Sequence, residues 1–367
     1  MDSSWIVNPK VTYYVFKVLG LLPFAGSRRV VISLLYSLLL WICLALSGIY
    51  VNMYHFKKNQ NVSPRFSMLT KVIFIEVFTK FIVTIFSISI SLHRSQRYFR
   101  VLEKFYKFDV SVSRIPCPPD VHVQTFYLLY VLFIGAHNYI CSLNYTSMPM
   151  YVLLVWNLFS SSTTLVIVQF MIYIRMLRER YELANRIFKK SMLNNSFSET
   201  KYIHPKEMNN LFTELRELTE EVKTYYAYHA IIIIIETVII LVSSVTSLTV
   251  NYLSELDTKF VDNGYFIGHC FLRFLLLFFL VRETHYTTLE AKNTALIGHE
   301  ALNITSDITI VNHFEIIILN CWNHPVVFDV LDFFDLDYKL LQSIIASVVT
   351  YVVVLVQIQL VIMEMVP

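Results

Sequence analysis

Seven apolar segments, each about as long as a bilayer is thick, dominate this 367-residue chain: residues 30–51, 72–92, 125–143, 150–174, 230–253, 260–281 and 340–366. A helix rises about 1.5 Å per residue, so about 20 apolar residues cross about 30 Å of hydrocarbon. Lipid offers backbone N–H and C=O groups no partners, and the helix is the open-chain form that satisfies them internally. The expected fold is all-α, one integral membrane domain over residues 1–367 with seven transmembrane helices. Composition agrees, with 56% hydrophobic and 16% charged residues, against about 45–50% and about 25% in soluble domains. That excludes an ordinary soluble enzyme. The net charge of +3 is small and the basic residues flank apolar runs, so no nucleic-acid partner is expected. Five cysteines without a CxxC pair make neither a disulfide framework nor a zinc site. The histidines are scattered, with no His-Glu-x-x-His or Gly-x-Ser-x-Gly context, so no catalytic residue, metal or cofactor is expected. The first apolar run is too long for a signal-peptide core, and no cleaved signal is expected.

Lysine and arginine set the orientation. With the N-terminus inside, 23 of the 30 basic residues fall on the cytoplasmic side, five fall outside, and Lys80 and Arg273 lie within spans. Seven spans then put the C-terminus outside, the reverse of a G-protein-coupled receptor. Sequons at Asn61 and Asn144 fall outside and those at Asn194 and Asn303 inside, so glycosylation motifs do not decide the matter. Residues 175–229 are charged and rich in helix formers, broken only around 194–204. They are expected to extend the fourth and fifth helices into the cytoplasm, and 282–339 to complete a cytoplasmic anchor. Within the latter, 308–322 is apolar but too short to span and carries His313 and Glu315, so a buried cytoplasmic helix is expected there.

Near the C-terminus stands Thr350-Tyr351, then five hydrophobic residues, then Gln357-Ile358. This closely resembles the signature of insect gustatory receptors, with Ile358 where phenylalanine is usual. The lead-in from Phe333 to Leu341, and Gly20-Leu-Leu-Pro-Phe24 before the first span, are similar to that family too. The resemblance implies a tetrameric, ligand-gated, non-selective cation channel, homomeric or mixed with other gustatory receptors. Its pore is formed by the last helix, and its place is the cell membrane of gustatory neurons, in dendrite, axon and cell body. No cofactor is implied; the partners are the bilayer and a small-molecule tastant.

On the last helix Val354, Gln357, Ile358, Val361 and Glu364 recur at spacings of three and four and share a face. Rings of Val354, Ile358 and Val361 are expected to close the pore by dewetting, with Gln357 offering amide dipoles to an ion. Glu364 would form an outer carboxylate ring; the plainer reading is a lone carboxylate in water. Ionisable groups within spans tend to be paired or functional. Glu76 and Lys80, four apart, are expected to neutralise each other along one helix face, and Glu236 and Arg273, at similar depths, to meet across two helices.

The resemblance also implies a ligand pocket among the outer halves of the second to sixth helices. Polar and aromatic residues at that depth are His137, Asn138, Tyr139, Tyr151, Trp156, Asn157, Ser243, Ser244, Ser247, Tyr265 and His269. A mostly apolar pocket with a few polar groups suits a small organic molecule. Interfacial anchoring by the aromatics and helix packing by the serines are the competing readings. Val352 follows the Thr-Tyr pair where sugar receptors of this family usually carry glutamate, which favours bitter or other aversive compounds, leaving fructose-like and pheromone ligands open. An odorant receptor of the same channel architecture is the near alternative. A G-protein-coupled receptor is opposed by the basic residues and by a last span with no proline before Pro367. A transporter is opposed by the lack of Gly- or Pro-interrupted paired spans, with seven glycines in all.

Overall fold

The computed structural model describes residues 67–112, 150–193, 205–253, 260–304 and 308–365, with the single positions 36, 39, 42, 46, 135 and 136. The expected spans 30–51 and 125–143 lie outside the described residues apart from those positions. Helix α1 (Ser67–His93) carries the second expected span. After a turn at Arg94, α2 (Ser95–Val112) begins. Residues 95–112, within a stretch expected only as a basic segment, are helical here for a simple reason. Tyr98, Val101, Phe105, Phe108 and Val112, spaced by three and four, form one buried stripe.

Three long helices follow: α3 (Met150–Leu193), α4 (Pro205–Leu253) and α5 (Phe260–Ile304), of 44, 49 and 45 residues. At 1.5 Å per residue each is about 65–75 Å long, more than twice a bilayer core. They hold the fourth to sixth expected spans in one half and the charged extensions in the other. Pro205 opens α4, where its missing N–H would be unpaired anyway. Helix α5 packs along both α3 and α4. The charged halves are tied side by side. Arg180 grips Asp109 of α2 with two bonds of 2.9 and 2.6 Å. Arg178 reaches Glu283 at 3.2 Å. Asn185 donates to Glu290 at 2.7 Å and accepts from Thr294 at 2.8 Å.

Where the apolar and charged halves meet, an aromatic cluster sits between α2, α3 and α4. Phe170 stacks on Tyr226 with centroids 4.6 Å apart, and Tyr225 meets Tyr226 edge-on at 4.8 Å. Tyr173 donates its hydroxyl to Tyr98 at 3.1 Å. Of the buried phenols, Tyr173 is paired with Tyr98, whereas the Tyr226 hydroxyl has no hydrogen-bond partner among the described residues and is held by ring packing.

Helix α6 (Ile308–Asn323) lies against α5, so close that a Cβ on Gly298 would stand 2.7 Å from Ile318 Cγ1. Its inner face buries Phe314, Ile317 and Ile318, while Ile308, Ile316, Leu319 and Trp322 are exposed. Within one chain the expected buried helix is therefore only half covered. A short hairpin, β1 (Asp329–Val330) and β2 (Phe334–Asp335), then leads to α7 (Tyr338–Met365). Leu331 and Asp332 take φ values of 52° and 59°, a region non-glycine residues seldom enter. The surroundings hold them there. Asp329 accepts from the Asp332 N–H at 3.2 Å and from Lys223 Nζ at 2.7 Å. Thr284 donates to the Leu336 carbonyl at 2.6 Å. Asp337 caps α7, its Oδ1 accepting from the Leu340 N–H at 3.0 Å.

The Lys223–Asp329 bridge yields a pH prediction. Burial works against both charges, but it is outweighed by their hydrogen bond and Coulombic attraction, by Glu220 acting on Lys223 and by backbone donors to Asp329, raising Lys223 above 10.5 and lowering Asp329 below 3.8. Asp329 therefore contributes stability above pH 3.8 that is lost as pH falls through its depressed value. Lys223 contributes stability below pH 10.5 that is lost as pH rises through its raised one. Asp329→Asn should cost about 1 kcal/mol, the scale of a part-exposed pair. In thermal unfolding of detergent-solubilised protein, the gap to wild type should stay flat from pH 3.8 to 10.5 and narrow below 3.8.

Candidate ligand site and pore helix

Among the described apolar helices, α7 is the least covered. Leu341, Ile344, Val348 and Val352, spaced by three and four, form the stripe that seats it on the bundle, largely against α4. Val354, Gln357, Ile358 and Val361 lie roughly half a turn away at 100° per residue, and all four are exposed. Val354, Ile358 and Val361 are 45%, 47% and 51% exposed, a continuous apolar face that a helix in water would not carry bare. Thr350 and Tyr351 are also exposed, with Thr350 donating to the Ala346 carbonyl of its own helix. Glu364 stands on the last turn of α7, its side chain outside the described residues.

Inside the bundle, α1, α4 and α5 bring four charges together, joined by a hydroxyl from α3. Lys80 Nζ lies 2.7 Å from Glu76 Oε1 one turn earlier on α1. From α4, Ser243 donates to Glu76 Oε2 at 2.6 Å, and from α5 His269 Nδ1 stands 3.8 Å from Glu76 Oε1. Glu236 on α4 receives Arg273 of α5 at 3.4 Å and the Thr163 hydroxyl of α3 at 3.3 Å. All of these side chains are buried. The two carboxylates and two cations balance, which keeps the cluster tolerable in a low-dielectric interior.

Ser243 and His269, expected as ligand contacts, thus first serve the Glu76–Lys80 pair. The sequence missed this convergence because Ser243 and Glu76 are 167 residues apart and no spacing rule links them. Ser247 donates to the Ser243 carbonyl on its own helix. Ser244 is different: its hydroxyl, like Thr246 Oγ1 and Glu236 Oε2, is buried and has no hydrogen-bond partner among the described residues. Such atoms are expensive unless something pairs with them. Tyr151, Trp156 and Asn157 fall on the first two turns of α3 and Tyr265 on the second turn of α5, with side chains outside the described residues. His137, Asn138 and Tyr139 lie outside the described residues altogether. No group of acidic, histidine and cysteine side chains suited to a metal ion occurs among the described residues.

No curated protein matches the chain in sequence. The solved insect olfactory receptor OR5 from Machilis hrabei is similar in fold, with a TM-score of 0.68 and 12% identity over 95% of this chain and 97% of that one. The same receptor in complex with eugenol gives 0.67 and 12% over 97% of this chain and all of that one. At that identity the likeness concerns the fold. The sequence model of the 7tm chemosensory receptor family matches residues 10–362. A match across nearly the whole chain, on helices arranged as in a solved insect receptor, means that this chain belongs to the 7tm chemosensory receptor family and is a receptor, not an enzyme.

Proposed function

We propose that the chain is a gustatory receptor: a ligand-gated, non-selective cation channel for small organic tastants, bitter or otherwise aversive. The observation that carries this reading is α7, seated on its own bundle by one stripe and bare on the face of Val354, Gln357, Ile358 and Val361. Four copies turning that face to a common axis cover it and enclose a pore. The apolar rings then hold the pore dry when closed, and Gln357 meets the ion when it opens. A Glu364 ring at the outer mouth concentrates cations. The distribution of basic residues supports an inside N-terminus, hence an outside C-terminus and a plasma-membrane location in gustatory neurons.

The ligand cavity in this reading lies beside the charged cluster. Ser244 Oγ and Glu236 Oε2 supply unmet polar groups, and His137, Asn138, Tyr139, Tyr151, Trp156, Asn157 and Tyr265 are candidates to complete the wall. Eugenol in the complexed olfactory receptor supports a ligand of that size. Thr350, Tyr351 and Gln357 support a gustatory over an odorant role, and Val352 weighs against a sugar ligand.

The test is whole-cell recording from cells expressing the receptor, alone and with other gustatory receptors, against bitter compounds, sugars, amino acids and volatile odorants. A ligand-evoked cation current that persists with G proteins blocked is expected; its loss under that block would mean a G-protein-coupled receptor. An odorant receptor is the second reading, favoured by the fold likeness to an olfactory receptor, and responses to volatiles alone would select it. Glu364→Lys is expected to lower conductance and cation-over-anion preference. An unchanged reversal potential would remove the carboxylate ring.

A further inference from the structure

The charged halves of α3, α4 and α5 meet α6 around a cleft far from the apolar end of the bundle. Its ionisable lining is one-signed. Arg216 of α4, Lys292 of α5 and His324 just beyond α6 border it, and no aspartate or glutamate does. Elsewhere in the charged halves Arg178, Arg180 and Lys223 each hold a carboxylate. Arg216, Lys292 and His324 hold none among the described residues. The other ionisable groups in the wall supply no negative charge. Burial pushes the Cys321 thiol up to about 11 and the Tyr181 phenol well above its ordinary value; Arg216 opposes both shifts, and Glu220, which is outside the lining and held by Lys223 at 2.8 Å, adds to the second. Both groups stay neutral at physiological pH.

Donors complete the cleft. Asn320 Nδ2 gives its hydrogen to Asn209 Oδ1 at 3.2 Å, which leaves the Asn209 amide N–H groups as donors on the same wall. The floor, with Phe212 and Ile317, is apolar and buried. The free space is about 40 Å³, room for about three waters at about 10–15 Å³ each. That suits one phosphate group, with the rest of a larger anion standing outside in the mouth of the cleft. Arg216 precedes the apolar stretch of α4 at residue 230 by 14 residues, about 21 Å along a helix. A lipid headgroup does not reach that far.

We propose that this cleft is a binding site for the phosphate group of a small soluble phosphorylated compound, held by Arg216 and Lys292 with His324 at the rim. Guanidinium and ammonium together give a phosphate charge-assisted bonds, about twice as strong as neutral ones. Binding to the folded receptor alone then raises its stability by mass action. The site stands on geometry separate from the pore and the ligand cavity, so it holds or fails independently of the channel reading.

The probe is inorganic pyrophosphate added to the purified full-length receptor in detergent, with potassium chloride as the control at equal ionic strength and melting temperature as the readout. Wild type should show a saturable rise in melting temperature with pyrophosphate. In the Arg216→Gln/Lys292→Gln variant the apparent dissociation constant should weaken at least about tenfold, as expected when two charge-assisted bonds are lost. Lys292→Glu alone, an exposed change that leaves the packing intact, should weaken binding as well. No rise in wild type, or an equal rise in both variants, would overturn the site. A second arm places the receptor in nanodiscs with and without a phosphoinositide. A rise that needs the lipid and is absent with pyrophosphate would assign the cleft to a headgroup and overturn the soluble ligand.

Discussion

Arg273→Met is expected to be among the most damaging single changes in this receptor. Arg273 and Glu236 are 4% and 0% exposed at their side chains, with 3.4 Å between them. Removing the guanidinium leaves a carboxylate deep in the bundle with only the Thr163 hydroxyl as a described donor. Breaking a buried pair from one side costs about 3–5 kcal/mol, whereas replacing both partners with apolar residues is often neutral or better. Glu236→Leu combined with Arg273→Met should therefore recover most of the lost melting temperature and surface expression. A double variant as unstable as the single one would mean that the two charges act through separate partners. The Glu76–Lys80 pair sharpens the comparison. Its members are one turn apart on one helix and Ser243 supports Glu76 from α4, so it should couple α1 to α4 more than α4 to α5.

Ile358→Ser is expected to leave folding nearly untouched and to change conduction. Ile358 touches little of its own chain, at 47% exposed, so the fold loses little packing. In the proposed tetramer the same side chain closes the axis. An isoleucine's apolar burial is worth about 1.5–3 kcal/mol, and each 1.4 kcal/mol is tenfold in an equilibrium. Ligand-free current should rise by about tenfold or more, with surface expression near wild type. Ile358→Phe, which places a ring where the gustatory signature usually has one, should keep the channel closed at rest. A serine variant with no added leak would place the gate elsewhere on α7.

The long helices were readable because their two halves announce themselves differently, apolar runs at bilayer length followed by stretches such as Met176 to Arg186 full of helix formers. Helix α6 was readable as an apolar run too short to span. Helix α2 carried a usable signal, the stripe from Tyr98 to Val112, masked by the four basic residues interleaved with it, Arg97, Arg100, Lys104 and Lys107. The hairpin at 329–335 carried almost none. Its strands are two residues long, and its positive φ values fall on Leu331 and Asp332 where no glycine or asparagine marks a turn. Tertiary bonds from Lys223 and Thr284 hold it in place, and such bonds are invisible to local pattern. The same holds for the polar cluster. Depth along the helices suggested that Glu236 and Arg273 lie level, but nothing local could reveal that Ser243 and His269 turn toward Glu76.

The claim that α7 lines a cation pore is tested most directly by cysteine accessibility. Val354→Cys, Ile358→Cys, Val361→Cys and Val352→Cys are expressed separately, and a positively charged methanethiosulfonate is applied outside during ligand-evoked current. Val352 belongs to the stripe seated on the bundle and the other three to the bare face. Block of the current at 354, 358 and 361, faster with ligand present, and no effect at 352 or on wild type is the predicted result. Current that survives the reagent at all three exposed positions, or block at 352 as strong as at the others, would contradict the pore assignment.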